Sequence, residues 1–170
     1  GNYRFPTSGL IFFDDNVWVE GQIDQSRLTI VSSQPVGSSL SDANIIVNNN
    51  LLYTNYDGQD AIGLIAQGNV LAGLVSADTL EINAALVAKN GRVGRYYYNS
   101  NCHPYNTRTL IKVFGAIASN SRYGFSYPET NGDNGYQTRL MVYDANLLFA
   151  SPPSFPSTSD QYQMISWREK

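Results

Sequence analysis

Short apolar stretches separated by polar turns run through the chain as far as residue 118. Each holds a few aliphatic residues and is bounded by Asn, Gly or another polar residue. The stretches occupy residues 9–13, 16–21, 44–47, 50–54, 63–66, 68–73, 80–88 and 110–118. The positions taken as equivalent are Val17, Leu51, Val70, Leu86 and Ile117. Their intervals predict coils of about 16 to 20 residues, with two coils in the first interval and a loop at 96–107 in the last. The pattern is typical of a β-solenoid, in which Asn, Gly and Ser turn the corners.

Residues 76–91 carry signals for both a helix and a strand. Asp78 and Glu81 stand at the spacing of a helix capping box, and Asn90-Gly91 suits a helix C-cap. The apolar positions also share one parity, as the inward face of a strand requires; they are Leu80, Ile82, Ala84, Leu86 and Ala88. Because the neighbouring apolar segments recur at the coil interval, we predict a strand for this segment.

The C-terminal residues differ from the rest of the chain. Pro152, Pro153 and Pro156 lack a backbone N–H, so residues 151–156 are predicted to run extended along the body. Residues 162–167 are predicted to form a last strand. An open solenoid end needs cover against edge pairing. We therefore predict a single domain, residues 1–170, with coils over 1–150 and a Pro-rich tail and capping strand over 151–170.

Composition agrees with an all-β fold. Lys (3) and Glu (4), both strong helix formers, are scarce, whereas Asn (17), Ser (17) and Gly (14) are abundant. This balance argues against a helix bundle. With 42% hydrophobic and 15% charged residues, the chain can bury enough apolar surface to fold. No apolar run approaches the roughly 18 residues of a transmembrane helix.

The net charge of -3 hides two blocks of opposite sign. Residues 14–81 hold nine acids and one base, Arg27. Residues 82–128 hold six bases and no acid. If the coils stack in sequence order, the two blocks become neighbouring bands along one axis; the alternative is that the charges are simply solvated on the surface.

Four phrases of the sequence form an ordered set, at residues 63–70, 80–91, 152–156 and 165–169. They resemble the C-terminal region of bacterial type IV pilus assembly proteins of the PilX kind and related minor-pilin-like proteins. The resemblance implies an extracytoplasmic, non-enzymatic β-solenoid at the cell surface or on the pilus, whose partners are other pilins or pilus assembly proteins. In that group an apolar pilin-type helix precedes this region. Its absence here predicts a chain cut before Gly1, with membrane contact only through the missing helix.

A Tyr- and Arg-rich stretch at residues 92–108 is the strongest candidate for a binding surface. Aromatic rings supply stacking faces, and arginines contact phosphates or carboxylates, a combination used for single-stranded nucleic acid and for sugars. The predicted binding residues are Arg92, Arg95, Tyr96, Tyr97, Tyr98, Tyr105 and Arg108. The alternative is that the tyrosines pack over a solenoid corner with their hydroxyls in water. A surface glycan or DNA is the predicted ligand of this loop.

Other chemistry has weaker support in the sequence. Two Gly-bearing turns concentrate hard oxygen ligands, so calcium is a candidate ion; the residues are Asn55, Asp57, Asp60, Asn131 and Asp133. The same residue types are also common turn formers. Cys102 and His103 are adjacent and have no acid within their block, which argues against a Cys–His nucleophile.

The sequence therefore predicts an all-β, single-domain solenoid, a right-handed parallel β-helix, acting as a structural or adhesive module of a type IV pilus system in biogenesis, adhesion or DNA uptake. It predicts no enzymatic activity and no cofactor other than the calcium candidate. One alternative is a carbohydrate-binding or carbohydrate-active β-helix, for which paired carboxylates such as Asp14 with Asp15, or Asp57 with Asp60, would supply acid and base. A second is a polymer-forming β-helical scaffold, which would give end-to-end filaments.

Overall fold

The computed structural model describes residues 1–128 and 134–155 of the chain. In that part the chain consists of short strands and two single-turn 3-10 helices, so the all-β prediction is confirmed. The strands are β1 (Leu10–Phe13), β2 (Val17–Trp18), β3 (Gly21–Ile23), β4 (Arg27–Ser32), β5 (Ile45–Ile46), β6 (Leu51–Tyr53), β7 (Ala61–Ala66), β8 (Val70–Leu71), β9 (Thr79–Ala88), β10 (Val93–Gly94), β11 (Thr107–Ser119), β12 (Ser126–Tyr127) and β13 (Asn134–Tyr143). The 3-10 helices cover Ser100–Cys102 and Ala145–Leu148. Neither of these described helices has the length and hydropathy needed to cross a bilayer.

The strands form two sheets that share one core. The first sheet has the order β1-β4-β7-β9-β11-β13-β12, with β3 and β6 joined to it through β9. The second has the order β10-β8-β5-β2. Strand pairs are parallel, except that β12 runs antiparallel to β13. Aliphatic side chains of both sheets meet in a single cluster that includes Ile45 and Val70 from the second sheet and Leu64 and Ile82 from the first. Parallel neighbours cannot be joined by a tight turn, so the chain leaves each sheet and returns to it before the next parallel strand is added. We call the stretch of chain between two stacked positions a circuit.

The register shows which positions stack on one another. In the second sheet Val17 pairs with Ile45, Ile45 with Val70, and Val70 with Val93. The residue number advances by 28, then 25, then 23 from one circuit to the next at this corner. Each circuit therefore takes up more of the chain than the sequence intervals predicted.

The predicted coil length is wrong, because the circuits are longer. Leu51 lies in the first sheet and pairs with Gly21, whereas Val17 and Val70 lie in the second, so the three are not equivalent. Only the last assumed pair, Leu86 with Ile117, is in register. The error has a simple physical origin. One circuit contributes strands to both sheets, and short apolar strands on different faces look alike in sequence.

The strand predicted within residues 76–91 is confirmed as β9. Its alternate residues from Leu80 to Ala88 are at most 2% exposed and belong to the core cluster. Tertiary packing thus overrides the local helix signals, because a strand at this position pairs with β7 on one side and β11 on the other. These alternate residues face the core, as the sequence pattern indicated.

Asparagine side chains stack at one corner of successive circuits. The Asn16 side-chain oxygen accepts from the backbone N–H and the side-chain amide of Asn44, at 2.8 and 2.9 Å. Asn44 receives the same pair of bonds from Asn69, both 2.8 Å, and Asn69 accepts from the backbone N–H of Arg92 at 2.9 Å. Each asparagine directly precedes a strand of the second sheet. The ladder satisfies backbone donors at the turn and fixes the register of the next strand.

The described part of the C-terminal tail, residues 151–155, lies across the outward face of the first sheet. The Thr29 hydroxyl donates to the carbonyl of Pro153, and a Cβ at Gly63 would come within 2.9 Å of the Phe155 ring. Small residues on this face therefore make room for the tail. The proline segment thus runs along the body, but the predicted extended conformation is wrong for its described part: Pro153 and Ser154 form a turn, with φ of +54° at Ser154 and a 3.2 Å bond from the Phe155 N–H to the Pro152 carbonyl. The predicted strand at 162–167, and the capping role given to it, lie outside the described residues.

Burial of Tyr53 makes the stability of the fold depend on pH. Its ring packs near Tyr56 and Phe114, and its hydroxyl accepts from the backbone N–H of Ile62 at 3.1 Å. Burial raises the pKa of Tyr53 to about 12, from its ordinary value of 10.0. Between about pH 10 and 12 the unfolded chain loses this proton while the folded chain keeps it, so the folded state is favoured below pH 10 and loses that advantage as pH rises. We expect the free energy of unfolding to fall by about 2 to 3 kcal/mol from this group over that interval.

Urea denaturation at intervals from about pH 9 to 12, on the parent chain and on Tyr53→Phe, measures this contribution. The phenylalanine variant lacks the bond to Ile62 at every pH, so its free energy of unfolding is lower by a constant amount. Its free energy of unfolding should also fall less steeply as the pH rises, because the titrating hydroxyl is absent. Tyr98 and Tyr136, whose pKa values are also raised by burial, act on both chains equally. Parallel pH profiles for the two chains would contradict the assignment to Tyr53.

Candidate functional site

The Tyr- and Arg-rich stretch connects the second sheet to the first. It leaves β10 at Gly94, passes through the Ser100–Cys102 helix and enters β11 at Thr107. The side chain of Asn99 caps that helix by accepting from the backbone N–H of Asn101 at 3.0 Å. The loop is also fixed at its start, where the backbone N–H of Arg95 donates to the carbonyl of Gly124 at 2.9 Å.

Arg95 is fully buried and anchors the loop from below. Its guanidinium donates to the carbonyls of Gly73, Leu74 (3.0 Å) and Tyr105 (2.6 Å), and to the Ser76 hydroxyl (2.8 Å). Burial lowers the pKa of Arg95, because the interior disfavours its charge. Carbonyl dipoles hold this cation, and three of its four acceptors are main-chain groups.

Aromatic rings complete the surroundings of Arg95. The guanidinium carbon lies 4.8 Å from the centre of the Tyr98 ring and 5.6 Å from that of Tyr136. The Tyr136 hydroxyl bonds to Ser76 at 2.9 Å and to the carbonyl of Ala77 at 2.8 Å. Burial raises the pKa of Tyr136, so the phenol stays neutral beside the cation. Cation–π contact thus adds to the carbonyl bonds in stabilising a buried charge.

The other two arginines of the loop differ in exposure. Arg108 is buried, donates to the same Leu74 carbonyl at 3.3 Å and lies 4.9 Å from the Tyr105 ring centre. Arg92 is half-buried, donates to the Tyr127 hydroxyl at 3.1 Å and lies 5.8 Å from the Tyr96 ring centre. Only Arg92 of the three is accessible enough to meet a ligand at the surface.

Three tyrosines of the loop lie at the surface. Tyr96, Tyr97 and Tyr105 are 42%, 52% and 46% exposed. Tyr97 packs edge-on against Tyr127, with ring centres 5.7 Å apart, so its orientation is constrained. We call Arg92, Tyr96, Tyr97 and Tyr105 the tyrosine surface. Rigid, partly exposed aromatic rings beside a cation are well suited to stacking on sugars or bases.

The structure divides the predicted binding set in two. The tyrosine surface is accessible, whereas Arg95, Arg108 and the half-buried Tyr98 are held inside by contacts within the chain. Sequence reasoning missed Ser76 and Tyr136, which lie far from the loop in sequence and complete the site around Arg95. No local signal marks either residue, since both reach Arg95 through the stacking of circuits.

Of the residues predicted for calcium, the structure describes Asn55, Asp57 and Asp60. Both carboxylate oxygens of Asp60 accept backbone N–H groups, from Ser26 (3.0 Å), Thr54 (2.9 Å) and Asn55 (2.8 Å). Asp57 is exposed, and the backbone N–H of Gln59 lowers its pKa. Asn131 and Asp133 lie outside the described residues. Among residues 1–128 and 134–155, no three His, Cys, Asp or Glu side chains cluster as a metal site would require.

Asp60 has a structural role that the sequence of its turn does not predict. Its three backbone bonds tie the start of β4, the end of β6 and the turn before β7 together. Its carboxylate is therefore engaged by the main chain of three segments.

The remaining candidates for chemistry belong to two separate segments of the chain. Cys102 is half-buried and His103 is exposed in the Tyr- and Arg-rich stretch, and Asp14 and Asp15 are exposed between β1 and β2. The chain matches no family model, and neither a curated protein nor a solved structure is detectably similar to it.

Proposed function

We propose that this chain is a non-enzymatic, extracytoplasmic β-solenoid module of a type IV pilus system. The pilus assignment rests on the four sequence phrases that resemble pilus assembly proteins of the PilX kind. Its partners on this proposal are other pilins or pilus assembly proteins. The tyrosine surface is its contact for a surface glycan or DNA.

The finer fold in this proposal is a right-handed parallel β-helix. It is supported by the repeated passage of the chain between two parallel sheets and by the asparagine ladder at a recurring corner. Parallel crossover connections are right-handed in almost all proteins, which favours that hand. A scaffold of this kind is rigid, so residues on its loops are displayed at fixed positions.

The observation that carries the binding proposal is the way in which the tyrosine surface is supported. Arg95 fixes the Tyr105 main chain through a carbonyl bond, and Tyr97 is held by Tyr127. Rings that are already ordered lose little conformational entropy when a ligand stacks on them. Because Arg95 itself is buried, a test of binding should change exposed rings and leave Arg95 in place.

The test uses cells in which the chromosomal copy has been deleted and then restored with variants. Deletion is expected to abolish pilus-linked adhesion or DNA uptake. A Tyr96→Ser/Tyr97→Ser double variant is expected to lower it about tenfold, from the loss of two stacking faces. Its unfolding midpoint should stay close to the parent value. Tyr3→Ser, which removes an exposed ring outside the loop, is the matched control and should have no effect.

Immunogold labelling of intact cells then separates the parts of the proposal. Label on or at the base of surface fibres supports the pilus assignment. A deletion strain with normal fibres, adhesion and DNA uptake would overturn it. Normal activity of the double tyrosine variant, together with loss in the deletion strain, would refute only the role of the tyrosine surface.

A further inference from the structure

Both ends of the strand stacks carry unpaired edges in the described residues. At the N-terminal end, β1, β2 and β3 each pair on one side only. At the C-terminal end, β13 pairs with β11 on one side, and its other side is covered by β12 only at Asn134 and Gly135. The last part of β11, from Ala116 to Ser119, pairs with β9 alone. Such edges leave N–H and C=O groups free to pair with another chain.

Both ends also open onto the apolar core. At the N-terminal end a groove is lined by core-facing positions that include Ile11, Phe13 and Val19. At the C-terminal end a larger groove is lined by Val113, Ile117, Met141 and Tyr143, among others. Ile117 is in register with Leu86, and Met141 with Val113, so both occupy inward positions of the first sheet. As far as residues 1–128 and 134–155 are concerned, the grooves are therefore the two open ends of one hydrophobic core.

Exposed aromatic rings stand at each of these ends. Trp18, on the outermost strand of the second sheet, is 65% exposed, and Tyr143, at the end of β13, is 57% exposed. Leaving such rings in water is unfavourable, and burying them against a partner would release about 25 cal/mol for each Å² of apolar surface covered. The described part of the tail does not cover either end, because residues 151–155 lie across the outward face of the first sheet.

Among the described residues, the two ends differ in charge. Four acids lie in the first circuit, and Arg4 is the only base before Arg27; the acids are Asp14, Asp15, Glu20 and Asp24. At the other end, the described residues 110–128 and 134–155 carry Arg122 and Arg139, together with Lys112, which is paired with Glu81 at 2.8 Å; their one acid, Asp144, is buried. Opposite charges favour contact between unlike ends and disfavour contact between like ends.

We propose that this chain binds a second copy of itself head to tail, the C-terminal end of one copy seating on the N-terminal end of the next. Continued register would place Met141 opposite Gly21 and Ile117 opposite Ile11, extending the first sheet without a change of strand direction. The contact joins unlike surfaces, so it does not close on itself and produces linear oligomers. The inference does not depend on the pilus assignment.

The test blocks each end separately in the full chain. Trp18→Asp places a charge on the N-terminal end, and Tyr143→Asp on the C-terminal end; both residues are exposed, so folding should be retained, as circular dichroism will show. Sedimentation velocity from about 10 µM to 1 mM should give a ladder of oligomers for the parent chain. Each variant alone should remain monomeric. An equimolar mixture of the two should give dimers and nothing larger, because only one productive pair of ends remains.

Each other outcome overturns the proposal. A parent chain that stays monomeric over the whole range excludes self-association of the full chain. Dimers formed by one variant alone would mean a symmetric contact between like ends. Oligomers unaffected by both substitutions would place the contact elsewhere.

Discussion

Replacing Arg95 with methionine is expected to lower the free energy of unfolding by about 3 to 5 kcal/mol. The side chain is fully buried and bonds to four acceptors, of which three are the carbonyls of Gly73, Leu74 and Tyr105. A hydrophobic replacement removes these charge-assisted bonds and leaves the Tyr105 carbonyl without this donor, whereas the Gly73 carbonyl still accepts from the backbone N–H of Ser76 at 3.2 Å. Each unsatisfied buried acceptor costs about 1 to 3 kcal/mol.

Two effects keep the loss below the sum of these costs. Arg108 still donates to Leu74 in the variant, and removal of Arg95 relieves the repulsion between the two buried cations. The variant should also order the Tyr105 main chain less well, since one of its anchors is gone. Equilibrium urea denaturation measures the loss, and hydrogen exchange of residues 95–107 reports the loosening of the loop.

Two further variants make this prediction specific. Arg95→Lys keeps the charge but has no planar fork, so it should recover only part of the stability. Arg92→Met, at a half-buried position with one bond to Tyr127, should cost no more than about 1.5 kcal/mol. If Arg95→Met costs no more than Arg92→Met, the carbonyl cage is not what stabilises the loop.

The position of Arg95 shows where sequence reasoning stops. An arginine among tyrosines predicts a surface contact, because cations are seldom buried without an acid nearby. Here the partners are carbonyls from residues 73 and 74, which belong to the preceding circuit. Main-chain acceptors have no signature in the sequence. The exposed rings of the tyrosine surface, by contrast, follow the simple expectation for a polar aromatic loop.

The stacking of circuits could have been predicted from the sequence by aligning its segments on asparagines instead of on apolar residues. The pairs Asn16-Val17, Asn44-Ile45 and Asn69-Val70 repeat the same two residue types, and the structure stacks them directly. Aligning on the asparagine would have given separations of 28 and 25. Hydrophobicity alone could not give these separations, because apolar residues occur on every face. The ladder asparagines, in contrast, occur at one corner only.

Gly115 marks a second feature that only the structure reveals, the bend in the two longest central strands. Residue 82 of β9 pairs with β6, whereas residues 85–88 pair with β7, so the partner of β9 changes near Ala84. Gly115 pairs with Ala84 on the next strand and has a φ of +151°. The backbone of β11 follows the bend at this point in a conformation that residues with a Cβ rarely adopt.

Replacing Gly115 with alanine is therefore expected to cost more than about 4 kcal/mol, a large part of the stability of a typical domain. A Cβ would collide with the carbonyl oxygen of Ala84 and lie 2.6 Å from its carbonyl carbon. These are main-chain atoms of a strand paired on both sides, so they cannot move away without breaking the ladder. The melting temperature should fall by about 10 °C or more.

Two other glycines separate the clash from the conformational strain. Gly21 also has a positive φ, +122°, but nothing lies within 4 Å of its Cβ position, so Gly21→Ala should cost only about 1 to 2 kcal/mol. Gly124 has open space and an ordinary φ, and Gly124→Ala should change stability by less than about 0.5 kcal/mol. Thermal and urea unfolding of the three variants should give the order Gly115, Gly21, Gly124. A Gly115→Ala chain as stable as Gly21→Ala would mean that the bend can relax, and that the close approach of β9 and β11 does not fix the register of the first sheet.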